Sequence, residues 1–185
     1  PRPRRALRRC WPTTVPGQHG FRHMVITASE IQGMINMEGL IVMPFHPTHI
    51  GRIEMNRFDQ HIADTLPDFQ ARLETIHHAR TAWTIFYRRE PALVMGMEYR
   101  FPTNYEAWLI PGTLSTQRGT LLSRGARRFF DKIGNRLNLR RMQIVVNVHN
   151  ETAIRWAEFL KFKHEGRMSQ YGPEGDDYHM YARTY

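Results

Sequence analysis

The stretch from 82 to 150 does most to limit what this chain can fold into. "AWTIFYRRE" (82–90), "ALVMGMEYRF" (92–101) and "YEAWLIPG" (105–112) read as three consecutive strands, rich in apolar, β-branched and aromatic residues. A helical pattern follows. From Leu122 the apolar positions are 122, 126, 129, 130, 133 and 137, one face sustained over four turns. "RRMQIVVNVHN" (140–150) is again a strand. A meander that feeds a β-α-β crossover implies a mixed sheet, an α+β (α/β-like) architecture with helices on both faces.

The flanks extend the same order. "GLIVMPFHP" (39–47) reads as a strand closed by prolines. Thr48 is placed to cap a helix carrying Ile50, Ile53, Phe58, Ile62 and Leu66, which Pro67 stops. Asp68 is placed to cap a second helix with Phe69, Leu73 and Ile76. "NETAIRWAEFLKF" (150–162) is a helix with Asn150 as its N-cap. Two short strands, near 164–171 and 177–184, flank the turn "GPEG". The expected order is β-α-α-β-β-β-α-β-α-β-β, with no internal repeat.

At 185 residues, the chain suits one domain with an appendage. Residues 1–23 carry six Arg and no acid, so the rest holds 20 basic against 17 acidic groups. The net charge of +9 therefore sits mainly in a Pro/Arg-rich arm, and residues 24–185 form the expected domain. Such an arm pairs with phosphates or acidic surfaces, or is an upstream extension without a role. No apolar run reaches the roughly 18 residues of a membrane span, and no secretory h-region is visible. The one cysteine, Cys10, leaves no internal disulfide and points to a reducing compartment.

The C-terminal run carries a resemblance. Asn150 at a strand end, Ala153 three residues on, then Phe162, Glu165-Gly166 and a hairpin with Gly175, Asp177 and Met180 resemble the GNAT (Gcn5-related N-acetyltransferase) superfamily. The likeness covers about residues 40–185. It implies a central sheet of about seven strands with about four helices, split in a V between the fourth and fifth strands, "YEAWLIPG" and "RRMQIVVNVHN". It also implies acetyl-CoA as the ligand of that split, with the pyrophosphate on backbone N–H groups where the next helix starts. Carried over to this chain, the cofactor contacts are Gln117, Arg118, Gly119, Thr120, Arg124 and Asn150.

Three positions depart from the family pattern. The usual loop is Arg/Gln-x-x-Gly-x-Gly/Ala, whereas "QRGTLLSRGARRFF" places Thr120 and Leu122 where those glycines belong. A tyrosine often stands seven residues after the Asn; here it is Ala157. The usual Gly before Phe162 is Lys161. The phosphate loop therefore reads as degenerate, and Gly125 as a packing contact.

Acyl transfer to an amine needs a base, an oxyanion donor and an acid for the thiolate. The base candidates are Glu98 and Glu106 on the central strands and His149, which shares a strand face with Asn147. Tyr171 is the substitute acid. A solvated strand residue is the alternative for each carboxylate. Metal chemistry is not expected, because the histidines offer only short pairs such as His46/His49 and His77/His78.

A looser likeness is to small GNAT-like virion or morphogenesis proteins of short-tailed bacteriophages. It rests on Arg127, Arg128, Phe129, Phe130 and Ile133, and on Asn150, Ile154, Arg155, Phe162, His164 and Glu165. Three functions follow. The first is a virion structural or assembly component with a degenerate acetyl-CoA site or no cofactor. It would contact other virion proteins or copies of itself, in the host bacterial cytoplasm or the particle, with no membrane partner. The second is an active acetyl-CoA-dependent N-acetyltransferase. The third is an accessory protein that touches DNA through residues 1–23.

Overall fold

The computed structural model describes residues 26–185, so the basic arm lies outside the described residues. Seven strands form one sheet in the order β1-β2-β3-β4-β5-β7-β6. They are β1 (Leu40–Pro44), β2 (Ala82–Tyr87), β3 (Glu90–Phe101), β4 (Asn104–Pro111), β5 (Arg141–Asn147), β6 (Lys163–Met168) and β7 (Tyr178–Thr184). All neighbours pair antiparallel except β4 and β5, which run parallel. The expected meander and crossover are both present. The turn between β2 and β3 puts Arg88 and Arg89 at positive φ, the backbone that a tight hairpin of matching twist demands.

Among the described residues six α-helices accompany the sheet: α1 (Ala28–Ile35), α2 (Arg57–Thr65), α3 (Phe69–Ala79), α4 (Thr113–Gln117), α5 (Gly119–Leu137) and α6 (Glu151–Phe159). Two cores separate the sheet's faces. On one, Ile31 and Ile35 of α1, Phe129 and Ile133 of α5, and Ala157 of α6 pack on Val42, Ile85, Leu93 and Met142. On the other, Ile50, Ile53 and Leu73 pack on Phe45, Ala82 and Val94, with Trp108 and Ile110 against them.

Two sequence expectations change, and Asp68 stands at the N-cap position of α3 without a side-chain cap bond. The helix expected from Thr48 through Leu66 is a 3-10 turn, Pro47–Arg52, followed by α2. His46, not Thr48, caps the turn, and Asn56 caps α2 by accepting from Phe58 N–H and Asp59 N–H. The break has a cause: Met55 bridges to Gly112 at the end of β4, which takes that backbone out of any helix. The second change is α1, absent from the sequence reading. Thr27 and Glu30 close a capping box at its start, and Arg136 of α5 reaches Glu30 at 2.9 Å through Nε.

Candidate functional site: a cavity through the split sheet

Parallel pairing between β4 and β5 lasts three positions: Asn104 with Arg141, Tyr105 with Met142, and Glu106 with Gln143. Beyond them the strands diverge. The N–H and C=O groups of residues 107–110 that point away from β3 therefore have no strand partner on that side.

The closed end is tied by charge. Arg100 donates to Glu106 Oε2 at 3.2 Å and lies 3.0 Å from Oε1. Gln143 Nε2 donates to the same Oε2 at 2.8 Å, across the strand junction. Arg141 bonds Gln143 at 3.2 Å and holds Glu165 with two hydrogen bonds of 2.9 and 2.6 Å. Glu98 lies 3.4 Å from Arg100. Burial raises the Glu98 carboxyl above its usual range, and Arg100 opposes that rise. The two carboxylates picked from the sequence are thus brought together, in an ion network that closes the fork.

The open end is a cavity of about 180 Å3. It runs from one face of the sheet to the other. On the α2 side its wall includes Asn56, Phe58, Asp59, Ile62, Trp108 and Tyr178; through the split it meets Ala107, Ile144 and Asn147; on the far side it reaches α5 and α6. Among the described residues, Asp59 is the one carboxylate in this wall. Its carboxylate accepts a hydrogen bond from the Asn56 side-chain amide, and burial pushes its pKa up to about 6, with that bond opposing. Tyr178 is buried, and burial raises its hydroxyl while a hydrogen bond with Asn147 works the other way. Helix α2 has no fully buried residue, because its apolar face, Phe58 and Ile62, covers an opening.

Of the other candidate residues named from the sequence, Asn150 alone stands in the cavity wall. The Asn150 Oδ1 accepts from Ala153 N–H at 3.1 Å, leaving the amide NH2 for another partner. Gln117, Arg118, Gly119 and Thr120 sit where α4 meets α5. The segment is helical on both sides of Arg118, whose φ of −115° and ψ of 27° interrupt it. A Cβ on Gly119 would meet nothing within 4 Å. Arg118 lies over the Tyr87 ring at 5.1 Å, and Arg124 is exposed. Gly125 is a packing residue, since a Cβ there would come within 3.0 Å of Ile35 Cγ2.

His149 does not share a strand face with Asn147. Strand β5 ends at Asn147, whose side chain accepts the His149 N–H at 2.9 Å and turns the chain, leaving His149 exposed. Tyr171 packs against Tyr178 at a tilt, with ring centroids 5.5 Å apart, and lies outside the cavity wall. The sequence reading missed Asp59 and Tyr178. The visible signal was Asn56-x-x-Asp59, which reads as an ordinary helix cap, and nothing local says that it overlooks a hole. Among the described residues no cluster of three or more His, Cys, Asp or Glu is placed to hold a metal.

No protein-family model matches this chain, and no curated protein sequence matches it. Solved structures do. One is a GNAT-family acetyltransferase from Bacillus anthracis, at TM-score 0.62 and 16% identity, covering 80% of this chain and 96% of the other. A second is RimL, the ribosomal L7/L12 α-N-protein acetyltransferase, in complex with coenzyme A, at TM-score 0.59 and 18% identity over 80% and 94%. A third is the microcin C7 self-immunity acetyltransferase MccE with acetyl-CoA and AMP, at TM-score 0.62 and 12% identity over 84% and 95%. At such identities the likeness is one of fold. The sheet order, the parallel β4–β5 pair and the split between them are those of the GNAT fold, in the α+β class.

Proposed function

We propose that this chain is an acyl-CoA-dependent N-acyltransferase. The observation that carries the reading is the cavity through the split, with Asp59 and Tyr178 in its wall. Binding clefts are mostly apolar with a few convergent polar groups, and this one has that make-up. The structural neighbours in complex with coenzyme A or acetyl-CoA add support.

The residues present fit the coenzyme. The unpaired edge of β4 offers backbone hydrogen bonds to an extended arm. Gly119 and Thr120 would meet the pyrophosphate, Arg118 and Arg124 would supply positive charge, and Asn150 would bond along the arm. The thioester supplies the activated acyl group. In the transfer an N–C bond forms, a C–S bond breaks, the amine loses a proton and the sulfur gains one. Asp59 accepts the amine proton: with a pKa of about 6 it is ionised at neutral pH yet basic enough to help. Backbone N–H groups of residues 107–110 that face the split stabilise charge on the carbonyl oxygen. Tyr178, in the cavity wall and kept protonated by burial, would replace the hydroxyl that Ala157 lacks.

Calorimetric titration with coenzyme A tests this reading. Micromolar binding, weakened by Arg118→Ala, is expected; no heat at millimolar ligand would sink it. A second reading, a bacteriophage virion or assembly component in the host cytoplasm or particle, draws on the helical start of α5, with Thr120 and Leu122 where the glycines of the loop would be. It predicts no coenzyme binding and co-assembly with virion proteins or itself. DNA contact through residues 1–23 is tested by salt-dependent DNA retention that is lost when they are deleted.

A further inference from the structure

The cavity does not stop at the split. On the α5 side its wall continues sideways beneath the sheet, past Met95 and Leu93 of β3 and Ile85 of β2, to Leu40 of β1 and Ile35 of α1. Leu93, Ile85, Leu40 and Ile35 are all at most 5% exposed. They belong to the main core, and Leu122, Gly125 and Phe129 of α5 roof the same space. A thioester seated along β4 with an acetyl group would leave this extension unused. Reaching β2 from β4 crosses two strand spacings, about 9–10 Å, and no charged side chain stands in the extension. The whole cavity, split and extension together, is about 180 Å3, and an apolar space without polar partners for water favours hydrocarbon.

From this we infer that the acyl donor carries a medium-length, unbranched acyl chain, which leaves the split at Ala107 and runs under α5 toward Ile85. The inference rests on the acyltransferase reading and narrows its donor. Ala107 at the fork leaves room for the chain to turn, and Ile85 limits its length. Each buried methylene tightens binding about threefold to fourfold at most.

The test is calorimetric titration of the full chain with coenzyme A, then with acetyl-, butyryl-, hexanoyl- and octanoyl-CoA, on wild type, Ile85→Phe and Ile85→Ala. Thermal melts of each variant confirm folding. Kd is expected to tighten by about tenfold or more from acetyl to hexanoyl. Ile85→Phe should move the best chain length down, and Ile85→Ala should move it up. If coenzyme A binds but Kd is flat across the series, the chain-length inference is overturned and the acyltransferase reading stands. If affinity rises with length but neither Ile85 variant moves the optimum, the route under α5 is wrong. If no member of the series binds, the acyltransferase reading itself fails. Should Ile85→Phe fail to fold, Ile85→Ala decides alone, because it removes atoms from the far wall and must favour a longer chain.

Discussion

Two carboxylates on the same side of this sheet, Glu106 buried and Asp59 half-buried, have opposite fates. Glu106 is 7% exposed and sits at the last paired position of β4. Arg100 and Gln143 hold it, and a cation stands within 3.0 Å. Asp59 looks onto the cavity with the neutral Asn56 amide as its partner, and among the described residues no cation pairs with it. A carboxylate committed to a guanidinium and an amide is a rivet. One that is desolvated and lightly bonded is free to take up a proton near pH 6. Position on a central strand, the criterion that singled out Glu106, does not say which carboxylate is committed to a cation; the partners do.

The largest test of that contrast is catalytic. Asp59→Asn should lower acyl transfer by about 100-fold or more in a thiol-release assay, with coenzyme affinity unchanged within about twofold. Full activity in the Asn variant would remove Asp59 from the mechanism. Glu106→Ala should act on stability: stripping one partner from a buried ion pair costs about 3–5 kcal/mol, read as a lower denaturant midpoint. A cost under about 1 kcal/mol would mean that the fork is held by other contacts.

The pH dependence sharpens the pair. With Asp59 near 6, kcat/KM should fall about tenfold per pH unit below 6 and level off above it; a plateau reaching down to pH 5 would exclude that base.

The same raised pKa has a stability consequence. An Asp whose folded pKa exceeds its unfolded value of 3.8 favours the fold below about pH 4 and loses that contribution as pH rises through 6. Asp59→Asn should therefore stabilise the protein by about 1–2 kcal/mol at pH 7, and by nothing at pH 3.5. The smallest effect belongs to Trp156, whose indole N–H donates to Ser123 at 3.0 Å between α6 and α5. Trp156→Phe should cost about 1 kcal/mol, and a fluorescence change on adding coenzyme A that wild type shows and this variant loses would report contact along that wall.

Much of this was legible in the chain itself. The apolar, β-branched and aromatic runs of 82–112, the helical stripe from Leu122 to Leu137 and the Asn150 cap are local patterns, and each appears as an element near its expected bounds. The capping box at Thr27 and Glu30 was equally legible, and was passed over because no strong apolar run announced α1. The helix expected over 48–66 failed for a non-local reason: the Met55–Gly112 bridge joins residues far apart in sequence. His149 failed because a side-chain cap by Asn147 ended the strand two residues early.

What the sequence determined was the order of elements, their periodicity and hence the class of sheet. These depend on spacings of two and 3.6 residues, which any stretch of chain carries within itself. Tertiary structure alone decided which carboxylate stands in a hole and which in a salt bridge. Asp59 and Tyr178 are far apart in the chain and meet only because α2 and β7 flank the same opening. Desolvation is a property of the surroundings, so the pKa shift that makes Asp59 a candidate base has no counterpart in the residues beside it.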